Sequence, residues 1–450
     1  MSNTISIQKG LNIRLVGEST KEIKDIPVSS TVCISPLDFH GLIPKMVVKE
    51  GESVQVGDIV FQDKKNEKIK FVSPTSGTIK QIVRAEKRKI VQIIIESDSK
   101  HSCKKFNVKK IADTSKEEML DILLESGIWP SFKQRPLDVI ADPSNEPKGI
   151  FISSFDSSPL APDYSFILKE KMEQVQMGLN ALNQLANGKV HLSSRKNSEF
   201  TKMQNVIHHN IDGVHPAGNI GTQIHYIDPM NKGEFAWSIN IQDVAAIGRL
   251  FETGFVDGKK CIAVGGSEIK NPAYFNIHCG SSMSDILKGN IVGDNVRYIS
   301  GNVLTGDQKT TDGYIGFYHN QITAIPEGNE YKFFLTKGWL GLGFDKFSNS
   351  RLFPTFLLPK SKKFTLDTNT NGEERAFVVT GELEKVFPFD ILPMHLTKAA
   401  ITDDIDGMEN LGIYEVAPED FALCEYVCTT KINIQEKIRQ GLDLIASECM

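Results

Sequence analysis

Residues 41–83 read GLIPKMVVKEGESVQVGDIVFQDKKNEKIKFVSPTSGTIKQIV and set the fold of the N-terminal part of the chain. Runs rich in Val, Ile and Phe alternate here with turn signals at Gly51-Glu52, Gly57-Asp58, Lys65-Asn66 and Ser76-Gly77. Branched and aromatic side chains fit the pleated surface of a strand, whereas Gly, Asn and Asp favour tight turns. The pattern predicts a β domain of short strands, and we expect it to occupy residues 1–111.

The order KEG-x-x-V-x-x-GD-x-V followed by SP-x-SG-x-I resembles the biotinyl/lipoyl barrel-sandwich domain. A carrier of that kind displays its acceptor lysine at the tip of a tight hairpin. Here Lys64 and Lys65 follow Gly57 too closely for that register, and the hairpin before Pro74 is remodelled. We therefore expect a structural sandwich. A carrier domain modified on one of these lysines is the alternative, which a lipoyl or biotinyl adduct in the intact mass would reveal.

From residue 112 onward, helix patterns alternate with strand patterns. The first helix pattern, TSKEEMLDILLESG, opens with a capping box from Ser115 to Glu118. A long helix pattern begins at Pro162-Asp163, and strand candidates surround it: LDVIA, GIFIS, KVHLSS, NVIHHNI, FAWSIN and KKCIAVGG. Such alternation is typical of a mostly parallel sheet covered on both faces, so we expect a Rossmann-like, doubly wound α/β domain over residues 112–264.

Two further regions complete the predicted architecture. Residues 265–330 combine strands with one short amphipathic helix, a pattern that favours a β-grasp domain. Residues 331–450 predict a β-hairpin that turns at Asn371-Gly372, followed by three helices. The predicted fold class is an α/β multidomain protein with a barrel-sandwich domain, a Rossmann-like domain, a β-grasp domain and a mostly helical C-terminal region.

Composition excludes several classes of function. The net charge of -5 argues against nucleic acid as a partner. No run approaches the ~20 apolar residues that span a bilayer, and the N-terminus lacks the architecture of a signal peptide. We expect a cytoplasmic chain without a transmembrane segment, held at a membrane, if at all, by partner proteins.

The seven cysteines form no C-x-x-C pair, so zinc and iron–sulfur patterns are missing from the sequence. Cys424 and Cys428 fall one turn apart on a predicted helix, and we interpret them as buried, inert thiols. His208 and His209 are adjacent on a predicted strand, so they point to opposite faces and make no paired metal site. We predict no metal ligands in this chain.

The candidate binding segment is NVIHHNIDGVHPAGNIGTQIHYIDP, residues 205–229. A strand pattern is followed by a Gly/Pro loop and then a helix pattern, and ligands of doubly wound sheets sit at such loops. Glycines admit a ligand close to the backbone, and histidine can donate to a carbonyl oxygen. The candidates for binding such a ligand, which would be a quinone if the family resemblance described below holds, are His215, Pro216, Gly218, Gly221, Thr222 and His225. The alternative is that they are turn and packing residues.

Catalytic motifs are missing from the sequence. No G-x-G-x-x-G follows a predicted strand, and Walker, G-x-S-x-G and H-E-x-x-H motifs are not found. The closely spaced Gly338, Gly341 and Gly343 follow no clear strand. We therefore predict no catalytic residue in the isolated chain.

Taken together and in order, many segments resemble the A subunit of the sodium-translocating NADH:quinone oxidoreductase family. They cover nearly the whole chain: KGLNIRLVG, KMVVKEGESVQVGDIVFQDKKN, SPTSGTIKQIVRAEKR, HPAGNIGTQIHYIDP, VGGSEIKNP, YISGNVLTG, YHNQI, GFDKFS, NTNGEERAFVVTG, FPFDILP and APEDFALCEYVC. In this sequence Gln223 stands where the family commonly has histidine.

The resemblance implies a peripheral subunit on the cytoplasmic face of the bacterial inner membrane. It implies a six-subunit complex that couples electron transfer from NADH to quinone to sodium export. Other subunits would carry FAD, FMN, riboflavin and the iron–sulfur centres, and this chain would bind none of them. It would dock on the membrane-embedded B subunit and have a structural, quinone-proximal role, with ubiquinone or menaquinone as the substrate of the complex. It further implies that the β-grasp region is a soluble-ligand-binding domain of the type found in the flavin subunit of respiratory complex I.

Two alternatives of other classes stay open. An electron-transfer subunit of a ferredoxin:NAD oxidoreductase (Rnf-type) complex would need cysteine-rich cluster motifs. A free-standing nucleotide-dependent oxidoreductase would use the central α/β domain and would bind flavin or NADH by itself.

Overall fold

The computed structural model describes residues 4–98, 100–330, 332–333, 335, 340–349 and 351–450. Gly338, one of the three closely spaced glycines, lies outside them. The strands of the described residues are β1 Thr4–Ile7, β2 Ile23–Asp25, β3 Thr31–Ile34, β4 Pro44–Met46, β5 Ser53–Val54, β6 Ile59–Asp63, β7 Lys70–Val72, β8 Gly77–Arg84, β9 Ile90–Ser97, β10 Lys133–Arg135, β11 Val139–Ile140, β12 Ile150–Ser153, β13 Val190–Ser194, β14 Ile207–Gly213, β15 Ala236–Ser238, β16 Lys259–Gly265, β17 Ala273–His278, β18 Val296–Ser300, β19 Asp307–Lys309 and β20 Gln321–Pro326. The α-helices are α1 Lys116–Glu125, α2 Tyr164–Ile167, α3 Met172–Leu185, α4 Ile220–Ile227, α5 Ile241–Thr253, α6 Met283–Leu287, α7 Pro393–Ile401, α8 Ile405–Asn410, α9 Ala422–Val427 and α10 Ile434–Glu448.

Two small sheets form the N-terminal sandwich. One has the order β3-β9-β8-β5 and the other β4-β6-β7. Branched and aromatic side chains such as Val60, Phe61, Ile93 and Ile95 are fully buried in its core. The barrel-sandwich prediction is confirmed.

The α/β domain is built on a sheet with the order β1-β14-β13-β12-β15-β10-β11. The first five strands of this order run parallel, and β10 lies antiparallel to β15 and β11. The predicted capping box is present, since Ser115 accepts from the backbone of Glu118 and the Glu118 carboxylate accepts from the backbone of Ser115. Strand β1 belongs to this sheet and β2 to the next one, so the start of the chain does not stay within the predicted 1–111 sandwich.

The third sheet has the order β19-β18-β20-β16-β17-β2. The sequence pattern assigns strand β16 to the α/β domain, as its last strand before residue 264. The strand pairs instead with β17 and β20, which places Ile262 and Val264 in the core of the third sheet. A buried apolar run fits either sheet equally well, so periodicity alone does not distinguish between them.

The C-terminal region is mostly helical, and α10 spans the predicted residues 434–448. The predicted hairpin at Asn371-Gly372 is wrong, because no strand pair flanks it in the described residues. Asn371 does occupy a turn with φ 50°. The flanking segments pair elsewhere: Phe364 bridges to Leu15, and the backbone of Arg375 donates to Thr430.

Candidate ligand cavity at the strand ends of the α/β sheet

A polar cavity of about 220 Å³ lies beyond the carboxyl ends of β12 and β15. Strand β12 pairs with β13 on one side and with β15 on the other. The strands that follow β12 in sequence are therefore added first on one side of it, as β13 and β14, and then on the other side, as β15. Ligands of open α/β sheets bind at such topological switch points. The loop after β14, with His215 and Gly218, closes one side of the cavity.

His215 is buried and is held from several directions. Its backbone N–H donates to Asn12 Oδ1 at 2.8 Å, and its Nδ1 lies 3.0 Å from Ser157 Oγ. Ser157 Oγ also accepts from the Gly218 N–H at 2.8 Å. His215 Nδ1 can accept the Ser157 hydroxyl proton or donate its own proton to Ser157, so this contact allows either tautomer of the neutral ring. Burial lowers the pKa of His215 to about 4, against the opposing effect of Asp156, so the ring is neutral at pH 7.

The carboxyl groups of the cavity outnumber its cations. Asp138, Asp156, Asp243 and Glu419 line it, and Lys133 is the one cation among the lining residues. Lys133 Nζ is already paired with Asp138 at 3.1 Å. A phosphate would therefore meet uncompensated negative charge, which argues against a nucleotide in this cavity.

Two of these carboxyl groups have raised pKa values. Burial raises the pKa of Asp243 to about 6, although Lys260 opposes the shift. Burial and the neighbouring Asp420 also raise the pKa of Glu419 above its usual range, against the opposing effect of Arg135. The cavity thus joins an imidazole whose pKa is lowered by burial with two carboxyl groups whose pKa values are raised by burial.

Further hydroxyl groups face the same space. Tyr164 Oη accepts from the side-chain amides of Asn240 at 3.0 Å and Asn320 at 3.2 Å, which leaves its proton for another acceptor. Ser158 Oγ is buried and has no hydrogen-bond partner within the described part of the chain. A small ligand with carbonyl or hydroxyl groups would satisfy these donors.

The structure separates the six predicted binding residues into two groups. His215 and Gly218 line the cavity, and the buried Pro216 lies between them in sequence. Gly218 lies against the loop after β12, where an added Cβ would come within 2.5 Å of the Ser157 backbone nitrogen. Gly221, Thr222 and His225 lie on α4, which continues away from the cavity.

The α4 group contacts the C-terminal region. An added Cβ on Gly221 would come within 2.4 Å of Asp420 Oδ1 and 2.5 Å of Arg135 Nη2, so glycine admits this buried ion pair. The hydroxyl of Thr222 is buried without a partner among the described residues. Gly221 and Thr222 are therefore buried and lie outside the lining of the cavity.

His225 lies outside the cavity lining, contrary to the expectation that it shares a site with His215. Its Nδ1 lies 3.0 Å from Glu415 Oε1, and its Nε2 accepts from the Asp390 N–H at 3.0 Å. Its ring packs on Phe389 with a centroid distance of 4.8 Å. Both ring nitrogens are thus used to hold the C-terminal region on α4.

Several cavity residues were missed by the sequence interpretation. Asp156 follows β12, and Asp243 lies in the first turn of the helix after β15, so the strand-end rule that selected His215 could have found both. Glu419 comes from the distant C-terminal region, and no local signal identifies it. Gln223 donates to Ser153 Oγ at 2.8 Å and so contacts the end of β12.

Comparison with known proteins gives a uniform result over the whole length. Family models match residues 5–98 as the NqrA N-terminal barrel-sandwich hybrid domain, 114–256 as the NqrA second alpha/beta domain, and 261–311 as the NQRA C-terminal domain. Curated relatives are named as the A subunit of Na(+)-translocating NADH-quinone reductase. The Marinomonas sp. (strain MWYL1) protein is 36% identical over 98% of this chain and 99% of its own. The Neisseria meningitidis (strain Z2491) and Haemophilus influenzae (strain PittGG) proteins are each 37% identical over 99% of this chain and 100% of their own.

The chain belongs to this NqrA family. The 261–311 match covers most of β16 and the 114–256 match ends before it, which agrees with the pairing of β16 in the third sheet. The cavity therefore lies at the edge of the second alpha/beta domain of an NqrA family member. As for the membrane, none of the helices in the described ranges combines the length and the apolar character needed to cross a bilayer.

Proposed function

We propose that this chain works as the A subunit within a sodium-translocating NADH-quinone reductase, as the names of its relatives describe. The full-length match to NqrA proteins carries this proposal. We place the chain on the cytoplasmic face of the membrane, docked on the membrane-embedded B subunit. In this proposal it holds no flavin or iron–sulfur centre of its own, and other subunits carry the electrons.

We further propose that the cavity at the strand ends holds the head group of a quinone. A neutral His215 with its proton on Nε2 would donate to a quinone carbonyl oxygen, and Asp243 and Glu419 could exchange protons with it. The volume of about 220 Å³ suits a single substituted ring. It is smaller than the ~300–1,000 Å³ of pockets for drug-sized ligands, so the isoprenoid tail would stay outside.

The matched test is a pair of single substitutions in the assembled complex, His215→Ala and His225→Ala. Loss of one hydrogen bond to the ligand predicts a quinone KM about tenfold higher for His215→Ala. His225→Ala should leave the quinone KM unchanged, since the ring faces the C-terminal region. Quinone reductase kinetics on detergent-purified complex, with subunit stoichiometry checked on the same samples, provide the measurement.

An unchanged quinone KM in assembled His215→Ala complex would remove the head-group site while leaving the family assignment intact. Membership of the complex has its own test, which is solubilisation of the membranes in mild detergent and identification of the proteins that co-purify. Purified alone, the chain should be colourless. A yellow or brown chain that oxidises NADH would instead support the free-standing oxidoreductase.

A further inference from the structure

Residues 332–363 differ in composition from the rest of the chain. They contain seven Lys or Arg and one Asp, a net charge of +6, whereas the whole chain carries -5. Thirteen of these residues are Phe, Leu or Trp. The described residues 340–349 and 351–363 form no strand or α-helix, and long segments of this kind usually have a function.

Residues that flank this segment, within 327–332 and 367–368, contact each other. Lys332 pairs with Asp367 at its base. Next to this pair, the Gly328 N–H donates to Thr368 Oγ1 at 2.8 Å, and Thr368 in turn donates to Glu327 at 2.6 Å.

The inner side of this loop is packed. Phe364 is 3% exposed and lies between the Arg14 guanidinium, 5.2 Å from its ring centroid, and the ring of Phe347. Thr355 is also buried and donates to the Lys346 carbonyl at 2.6 Å. Part of the segment is therefore packed, through Phe347 on Phe364 and through Thr355 on the Lys346 carbonyl.

The outer side carries exposed apolar side chains. Leu342, Leu352 and Leu357 are 75%, 74% and 74% exposed, and Phe344 is 64% exposed. Of the 22 large hydrophobic side chains that are exposed in the described part of the chain, nine fall within residues 333–358. Exposed apolar side chains concentrated in one short stretch of the chain indicate an interaction site.

We propose that this loop contacts the surface of an anionic lipid bilayer directly. Exposed Leu and Phe next to clustered Lys and Arg are typical of segments that insert apolar side chains below anionic headgroups. Protein–protein interfaces are, by contrast, depleted in Lys, so the composition favours lipid over a protein partner. Direct lipid contact adds to docking through partner subunits and does not depend on the quinone site.

The test uses the purified full chain and vesicles of phosphatidylcholine, with or without one quarter phosphatidylglycerol, in a flotation assay. The chain should float with the anionic vesicles and lose binding as salt rises. Lys360→Glu with Lys362→Glu, and separately Leu342→Ser with Leu357→Ser, should each weaken anionic-vesicle binding at least tenfold. Unchanged thermal unfolding of both variants excludes a folding defect.

Matched controls come from exposed residues elsewhere. Lys87→Glu with Lys89→Glu alters a basic turn, and Val292→Ser alters an isolated apolar residue that is 65% exposed. Neither should change binding. The proposal is overturned if the chain fails to bind anionic vesicles at low salt, or if the controls weaken binding as much as the loop variants. Loss of co-purifying membrane proteins from loop variants, with no vesicle binding by the unaltered chain, would assign the loop to a protein partner.

Discussion

His215 and His225 stand close together in one loop and helix, yet they serve opposite surroundings. His215 lines a cavity, and its Nδ1 is hydrogen-bonded with Ser157 Oγ. His225 has both nitrogens bonded, to Glu415 and to the backbone of Asp390. At one end of this segment, His215 lines a cavity. At the other end, His225 connects helix α4 to the C-terminal region. Residue type therefore does not identify the function of either histidine.

The largest expected effect on stability concerns the contact between the α/β domain and the C-terminal region. Arg135 is 2% exposed and bonds Asp420 Oδ2 at 2.6 Å, Glu419 Oε1 at 3.1 Å and the Glu415 carbonyl at 2.9 Å. Arg135→Met should lower the free energy of unfolding by about 3–5 kcal/mol, because it leaves buried Asp420 uncompensated. Urea unfolding followed by circular dichroism measures it.

The double variant Arg135→Met with Asp420→Leu is the control for this prediction. It removes both buried charges and should recover much of the lost stability. A single variant as stable as the unaltered chain would show that the ion pair does not hold the two domains together.

The second prediction concerns His215 in the cavity and the pH dependence of stability that it causes. The folded-state pKa of His215 is lowered to about 4, below the ~6.5 of an unfolded histidine, so the unfolded state binds more protons between these values. Stability should fall as pH drops from about 6.5 to about 4, and His215→Gln should remove up to about 3 kcal/mol of that loss. Urea unfolding at a series of pH values tests this. Equal pH dependence in both proteins would mean that His215 is not kept neutral by burial.

The smallest effect on stability is expected at Thr222, which lies between His215 and His225 in sequence. Because the buried Thr222 hydroxyl lacks a partner among the described residues, Thr222→Val should change the free energy of unfolding by less than about 1 kcal/mol. Thr397 is the matched control, a buried threonine that donates to the Pro393 carbonyl at 2.7 Å. Thr397→Val should cost about 1 kcal/mol. If Thr222→Val weakens quinone binding by the complex, Thr222 belongs to a ligand site after all.

Local signals in the sequence were reliable where neighbouring residues complete the structure. The capping box of α1 and the bounds of α10 formed as predicted, since every partner lies within one element. The loop holding His215 also came from a local rule about strand ends. The hairpin at Asn371-Gly372 failed for the converse reason: the turn is local, but the strands that should flank it have better partners in Leu15 and Thr430.

Long-range pairing arranged the rest of the candidate site. Strand β1 pairs with β14, and the adjoining Asn12 holds the backbone of His215. Glu419 reaches the cavity from the C-terminal region, and Glu415 draws His225 away from it. Contacts between residues so far apart in sequence leave no periodic pattern that a single chain could reveal.

The kinds of domain, the family and the loop at which a ligand could bind all follow from the order of the amino acids, because hydrophobic period, turn residues and motif order are local properties. Only the tertiary structure decides which histidine lines the cavity and which carboxyl groups lie beside it. It also decides which apolar side chains remain exposed once the domains have packed together. Those outcomes depend on which distant surfaces exclude water from a side chain, and burial of that kind does not exist before packing.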